Sequence, residues 1–337
     1  MSGDGFKNRR GTARVLRTAG LSLLALASGL VATQAAHAQT WPAKPVRIIV
    51  SFAPGGVTDT IARALQPRLA EGLGQPVIID NRPGAGGTIA EGLLARSAPD
   101  GYTLMMSADG VPASPHLIRN LPYDTFKDLQ PVSMLVRVPL VLLVNSSVPA
   151  TNVQQFVSYA RSRPGQVSYA SPGTGTSNHL FLESFKDIAG FEMQHVPYKG
   201  GGPAMTDVMA GHVQAILISS TLAAPQVSAG KVKALAVTSE KRAASMPNVP
   251  TFTEAGYPNF KPQTWTGLFL PAGTPPAIAQ RIHAEFAKAI KAPEVVTRLR
   301  DLGAEPVMSS PTEFAAHLRS EHDSLGKLIR ERKITAD

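Results

Sequence analysis

From Val46 onward, short blocks of β-branched and aliphatic residues alternate with segments of helical period, and glycine or proline closes nearly every block. The run Val46-Arg47-Ile48-Ile49-Val50-Ser51-Phe52 predicts a strand that stops at Ala53-Pro54-Gly55-Gly56. Ile61, Ala62, Leu65 and Leu69 then recur at helical spacing behind Thr58 or Asp59 as a cap, up to Gly72 or Gly74. A second strand over 77–80 leads into Asn81-Arg82-Pro83-Gly84-Ala85-Gly86-Gly87 and a helix through Leu93, Leu94 and Ala95. After Pro99-Asp100-Gly101 comes a strand over 102–107.

The pattern then repeats. Strands over 140–144 and 167–171 flank a helix over 153–161, and Ser171-Pro172-Gly173-Thr174-Gly175-Thr176-Ser177 opens a helix at 178–185. Strands over 193–196, 213–218 and 232–237 follow, with a helix starting at Gly200-Gly201-Gly202-Pro203, and helices over 278–290, 295–302 and 314–329 close the chain. Strands alternating with helices predict an α/β fold with parallel sheets.

The first 38 residues stand apart. A basic start, an apolar run over 19–32 and Ala36-His37-Ala38 before Gln39 read as an export signal cut after Ala38. No other stretch has the roughly 20 apolar residues that a membrane span needs, so the chain is expected in the periplasm. The remaining 299 residues are twice a typical domain, which predicts two α/β lobes, each owning one glycine loop at the carboxyl end of a strand. Lobe 1 is expected over 39–137 plus 240–337 and lobe 2 over 138–239. Open α/β sheets bind ligands at such strand ends, and the free amides of helix N-termini favour anions there.

Composition removes several alternatives. The chain has 0 cysteines, which excludes disulfides, cysteine nucleophiles and thiolate metal sites. Lys7, Arg9, Arg10, Arg14 and Arg17 against Asp4 account for much of the net charge of +9, and +5 remains without them, scattered rather than striped as nucleic-acid binding requires. His179, His195 and His212 lack metal-ligand spacing, and Ser107, Ser171, Ser219 and Ser220 lack a G-x-S-x-G elbow. Neither a metal, a cofactor nor a catalytic residue is therefore expected. The loop at Ser171 lacks the Gly-Lys-Ser/Thr of a P-loop and the third glycine of a dinucleotide loop. Asp59 reads as a cation receiver or a structural cap, and His179 as a ligand contact or a packed histidine.

Motifs in register along almost the whole chain after residue 38 resemble one family. They are Pro45 to Val50 with Phe52-Ala53-Pro54-Gly55-Gly56 and Asp59, the segment 81–87, Pro99-Asp100-Gly101-Tyr102-Thr103-Leu104, and Tyr169-Ala170-Ser171-Pro172-Gly173 with His179-Leu180. They continue through His195-Val196-Pro197-Tyr198-Lys199-Gly200, Ala234 to Ser239 with Arg242, Val249-Pro250-Thr251, and Trp265-Thr266-Gly267-Leu268 to Pro271-Ala272-Gly273-Thr274-Pro275. The chain resembles the substrate-binding proteins of tripartite tricarboxylate transporters, the Bug-type periplasmic receptors.

The resemblance implies a two-lobed Venus-flytrap receptor, monomeric, that closes on a small organic carboxylate and delivers it to a permease of two integral membrane subunits, without catalysis. It maps one ligand carboxylate onto Ser51, Ala53, Gly55, Gly56, Thr58 and Asp59 of the first loop and Ser171, Gly173, Thr174, Gly175, Thr176 and His179 of the second. The other end of the ligand is expected near Ser107 to Gly110, Tyr198 and Ile218 to Thr221, with Ser107, Tyr198, Ser219 and Ser220 as its contacts. Many relatives carry an acid or amide in the segment that here reads Ile216-Leu217-Ile218-Ser219-Ser220-Thr221, and its absence argues against an amino-group ligand. A receptor that presents its ligand to a sensor kinase and an extracytoplasmic enzyme acting on an organic acid remain the alternatives.

Overall fold

The computed structural model describes residues 41–335, and the compact body begins at Lys44. The expected export segment 1–38 lies outside the described residues. Within the body, β1 (Val46–Val50), β2 (Val77–Asn81) and β3 (Thr103–Ala108) lie parallel around β1. Helices α1 (Val57–Leu73) and α2 (Thr88–Ala95) make the connections. Further on, β5 (Ser168–Ser171), β6 (Gln194–Pro197) and β7 (Ala215–Ser219) form a second parallel set, with α5 (Ser177–Ala189) and α6 (Gly201–Ala210) between them. Helices α3 (Ser114–Leu117) and α4 (Val153–Arg161) precede it. The run α7 (Ser220–Ser228) and β8 (Val232–Val237) completes the second half. The last elements are β9 (Gln263–Pro271), α8 (Pro276–Ala289), α9 (Pro293–Asp301), β10 (Glu305–Pro306) and α10 (Pro311–Glu331).

The expectation of parallel sheets holds for the two outer sets and fails at the centre. The sheet order is β2-β1-β3-β9-β4-β7-β5-β6, and the 17-residue strand β4 (Leu129–Asn145) pairs antiparallel with β9 along its first part and with β7 and β8 along its second. One strand thus belongs to both halves, so its backbone links them directly. Pro131 lies beside a register shift in the β4–β9 ladder, where its missing N–H costs no regular pair. Gly267 in β9 is required by packing, since a Cβ there would lie 2.3 Å from Phe314 Cζ.

The two halves have separate cores. Ile49, Met105, Trp265, Phe269 and Phe314 pack together in the first, while in the second Phe185, Phe252 and Phe260 pack edge to face or tilted and Phe156 meets Phe191 edge to face. Burying each such ring is worth about 1.5–3 kcal/mol. Ala243, Met246 and Val249 join a further cluster of the second half, and Phe252 and Phe260 its main core. Residues between Ala243 and Phe260 thus contribute to the cores of the second half. Helix α10 spans both: Phe314 and Leu318 enter the first core, Leu325, Leu328 and Ile329 the second.

Candidate functional site

Because β1 and β3 are adjacent and parallel, their carboxyl ends bring Ser51 and Ser107 together. The two hydroxyls lie 2.9 Å apart, each residue is 1% exposed, and the Ser51 N–H donates to Met106 O at 3.2 Å. The loop that follows turns at Gly55 (φ +82°), and Gly56 caps α1 from extended backbone while Ala53 and Gly55 stand exposed. Asp59 is not the cap that the sequence suggests. It sits in the first turn of α1, and its carboxylate accepts from Gly55 N (2.8 Å), Asn81 Nδ2 (2.9 Å) and Arg63 Nε (3.0 Å). Burial opposes its charge, but the hydrogen bonds from Arg63, Gly55 and Asn81 and the Arg63 charge outweigh that and hold the carboxyl below its ordinary value. Asp59 is thus occupied in bracing the loop, and Thr58 beside it is buried. The leading N–H groups of α1 have no partner within the helix and face the loop end.

A third loop, the 81–87 motif of the sequence, which was not among the expected ligand contacts, completes this end. Gly84, Ala85, Gly86 and Gly87 all have positive φ, and a Cβ on Gly87 would lie 3.2 Å from Glu91 Oε1, 3.6 Å from Ser51 Cβ and 3.7 Å from Ser107 Oγ. Gly110 is equally confined, with Gly86 O 3.1 Å from where its Cβ would be. The backbone of 84–87 therefore lies directly on the serine pair.

In the second half, Ser171 ends β5 fully buried. Its hydroxyl donates to Gly173 O (3.0 Å), accepts from Gly173 N (3.2 Å) and lies 2.7 Å from His195 Nε2. Thr176 Oγ1 donates to Gly173 O at 2.7 Å, and Gly175 N donates to His179 Nδ1 at 3.0 Å, which places the His179 proton on Nε2. Thr174 is half-buried in the same loop. The rings of His179 and His195 stack at 3.7 Å and 7°, with Tyr169 5.0 Å beyond His195. Burial pushes His179 down to about 3, helped by His195 and Lys186, and pushes His195 down to about 4 against the pull of Glu183. Both imidazoles are neutral at pH 7, so this loop offers hydroxyls, amides and a helix N-terminus rather than a cation.

The remaining expected contacts diverge. Tyr198 donates its N–H to Ser171 O (3.0 Å), but its hydroxyl is turned to Asp207 Oδ2 at 2.6 Å, and burial together with that bond pushes the phenol up to about 12. Ser219 is half-buried at the end of β7, whereas Ser220 is buried against Gly303, whose Cβ would lie 2.5 Å from its Oγ. Thr221 Oγ1 donates to Leu302 O next to it.

The two loop systems approach each other around Asp109, just past β3, whose carboxyl is influenced by Ser177 at the start of α5. Its Oδ2 is buried without a partner. Burial, with Glu321 adding to it and Ser177 and His317 opposing, pushes the Asp109 carboxyl up to about 7. Leu117 of α3 fills the space where a Gly175 side chain would be, 2.9 Å from its Cβ position. Helix α10 borders this contact, with His322 stacked on His116 at 4.1 Å and Glu321 accepting from Trp265 Nε1 at 2.8 Å. Among the described residues no cluster of three or more His, Cys, Asp or Glu side chains is placed to hold a metal ion, and no helix is long and apolar enough to cross a membrane.

Residues 61–334 match the model of the tripartite tricarboxylate transporter family receptor. The chain is 36% identical over 296 residues to Protein BugT of Bordetella pertussis, covering 87% of this chain and 91% of that one. Among solved structures it is similar to R. palustris Rpa4515 with adipate (35% identity, TM-score 0.78, 88% and 99% of the two chains). It is also similar to MatC (Rpa3494) from Rhodopseudomonas palustris with bound malate (35% identity, TM-score 0.75, 86% and 100% of the two chains). The fold is that of the two-lobed periplasmic binding proteins, solute receptors rather than enzymes. The chain belongs to the tripartite tricarboxylate transporter family of periplasmic solute receptors.

Proposed function

We propose that this receptor binds a small dicarboxylate between the loops 51–56 and 171–177, with Ser107 and the 84–87 backbone flanking the first. The observation that carries this is the pairing of two strand, glycine-loop and helix units, one per half, each ending in a buried serine beside a helix N-terminus, with Leu117 of the segment after β3 packed against Gly175 of the second loop. Helix amides stabilise carboxylates without a formal counter-charge, and two such ends suit a ligand charged at both. Adipate and malate in the two similar structures are ligands of that kind.

The lobes divide at the middle of β4 and again between Phe260 and β9, and the ligand closes them. The export segment 1–38 is removed after Ala38, and the loaded receptor docks on a permease of two integral membrane subunits. Thermal unfolding of the chain from Gln39 onward, against dicarboxylates, tricarboxylates, aromatic acids and amino acids, tests the ligand class. A ligand at about 100 times its Kd adds about 2.7 kcal/mol, a shift of several degrees. A shift with dicarboxylates and none with amino acids is the expected result. Shifts confined to amino acids, or to no carboxylate after unfolding and refolding to strip retained ligand, overturn it.

A further inference from the structure

We infer that Glu91 is a proton-binding residue of the ligand cleft, so that the carboxylate ligand and one proton on the Glu91 carboxyl group bind together. This rests on the carboxylate reading above and specifies the charge state in which the site accepts its ligand. Glu91 lies in the middle of α2, on a turn that otherwise buries Ala90 and Leu94, and it is 0% exposed. Its two oxygens have different surroundings. The Tyr123 hydroxyl donates to Oε2 at 2.6 Å, while Oε1 is buried without a partner. That free oxygen points at Gly87, where a Cβ would meet Glu91 Oε1, Ser51 Cβ and Ser107 Oγ together.

A buried carboxylate oxygen with no donor is costly, whereas a protonated one carries its own hydrogen and becomes a donor. With Tyr123 donating to Oε2, the proton belongs on Oε1, the oxygen on the side of the serine pair. The charge state of Glu91 therefore decides what the first loop presents to an anion. A neutral acid adds no repulsion behind the Ser51 and Ser107 hydroxyls, while an ionised one places a like charge there in a setting of low dielectric. Burial pushes this carboxyl up to about 7 against the Tyr123 hydrogen bond, so the exchange falls within the working pH range. The Tyr123 hydroxyl is the titratable group that hydrogen-bonds it, and it lowers the carboxyl against burial.

Adipate and malate, both ionised above pH 6, are titrated calorimetrically from pH 6 to pH 8 in buffers of different ionisation enthalpy. If ligand binds only the protonated form, the apparent Kd weakens about tenfold over that range, and proton uptake on binding grows toward one. Glu91→Gln keeps the Tyr123 hydrogen bond and a donor on the free side, and is expected to hold one Kd throughout with no proton uptake. Tyr123→Phe removes the bond that draws Glu91 down, so the weakening begins at higher pH. Binding that is flat with pH in the wild type, or a slope that survives in Glu91→Gln, overturns the proposal and leaves the carboxylate reading standing. Absence of binding by both acids at pH 6 removes the two together.

Discussion

The two glycine loops share one backbone design and are braced by opposite chemistry. The first is tied by a charged carboxylate, Asp59, that gathers Gly55, Asn81 and Arg63, and Arg63 is half open to solvent. The second is tied by two neutral imidazoles stacked under it, His179 on Gly175 and His195 on Ser171. A strand end that must present its amides outward cannot also hold itself with them, so the bracing falls to side chains beneath the loop. Which side chains serve depends on what surrounds them. The Asp59 carboxylate keeps its charge because Arg63, Gly55 and Asn81 all donate to it; beneath the second loop, where burial penalises charge, the braces are uncharged rings.

The comparison breaks most easily at the second loop. His179→Ala removes a buried ring, its stack and the acceptor of Gly175 N, and is expected to cost about 3 kcal/mol in urea unfolding. Asp59→Ala strands Gly55 N and removes one of the two acceptors of Asn81 Nδ2, and is expected to cost about 1–2 kcal/mol, with little from the screened Arg63 pair. If Asp59→Ala proves the more damaging, the loss of a stacked ring is not what sets the strength of the two braces.

Acid sharpens the contrast further. The folded values of His179 and His195 lie below 6.5, so the unfolded chain takes up protons that the folded one refuses, and their contribution is lost progressively as pH falls from 6.5 toward 4 and 3. Asp59 is depressed as well, yet its contribution persists down to the ordinary carboxylate value of 3.8 and is lost only below it. Amide hydrogen exchange between pH 6.5 and 4.5 should therefore show protection falling at 173–177 while 55–59 stays protected. Equal loss at both loops contradicts this.

Much of this architecture is legible in the sequence because the strand and glycine-turn signals are local. The runs at Val46 and Val232 and the helix Val153–Arg161 need no tertiary information. The central strands do. Pro131 and Pro139 disguise the first part of β4 and Gly267 interrupts β9, and each is tolerated for a reason visible only in three dimensions, a register shift or the Phe314 ring. The antiparallel centre follows from those two strands and was hidden with them.

The site divides along the same line. Ser51, Ser107, Ser171 and the two glycine loops announce themselves, whereas the Asn81 bond to Asp59, the Ser220 contact with Gly303 and the packing of Leu117 against Gly175 depend on partners far along the chain. Glu91 did leave a signal: a lone acid between Ala90 and Leu94, one turn after Gly87.

The central claim is that one carboxylate ligand engages both loops at once. Its most direct test is a titration of 15N-labelled receptor with malate or adipate, following the amide resonances of 53–58 and 172–177. The account predicts that both sets move together and saturate at the same ligand concentration. Saturable binding that shifts only one loop, or neither, would contradict it.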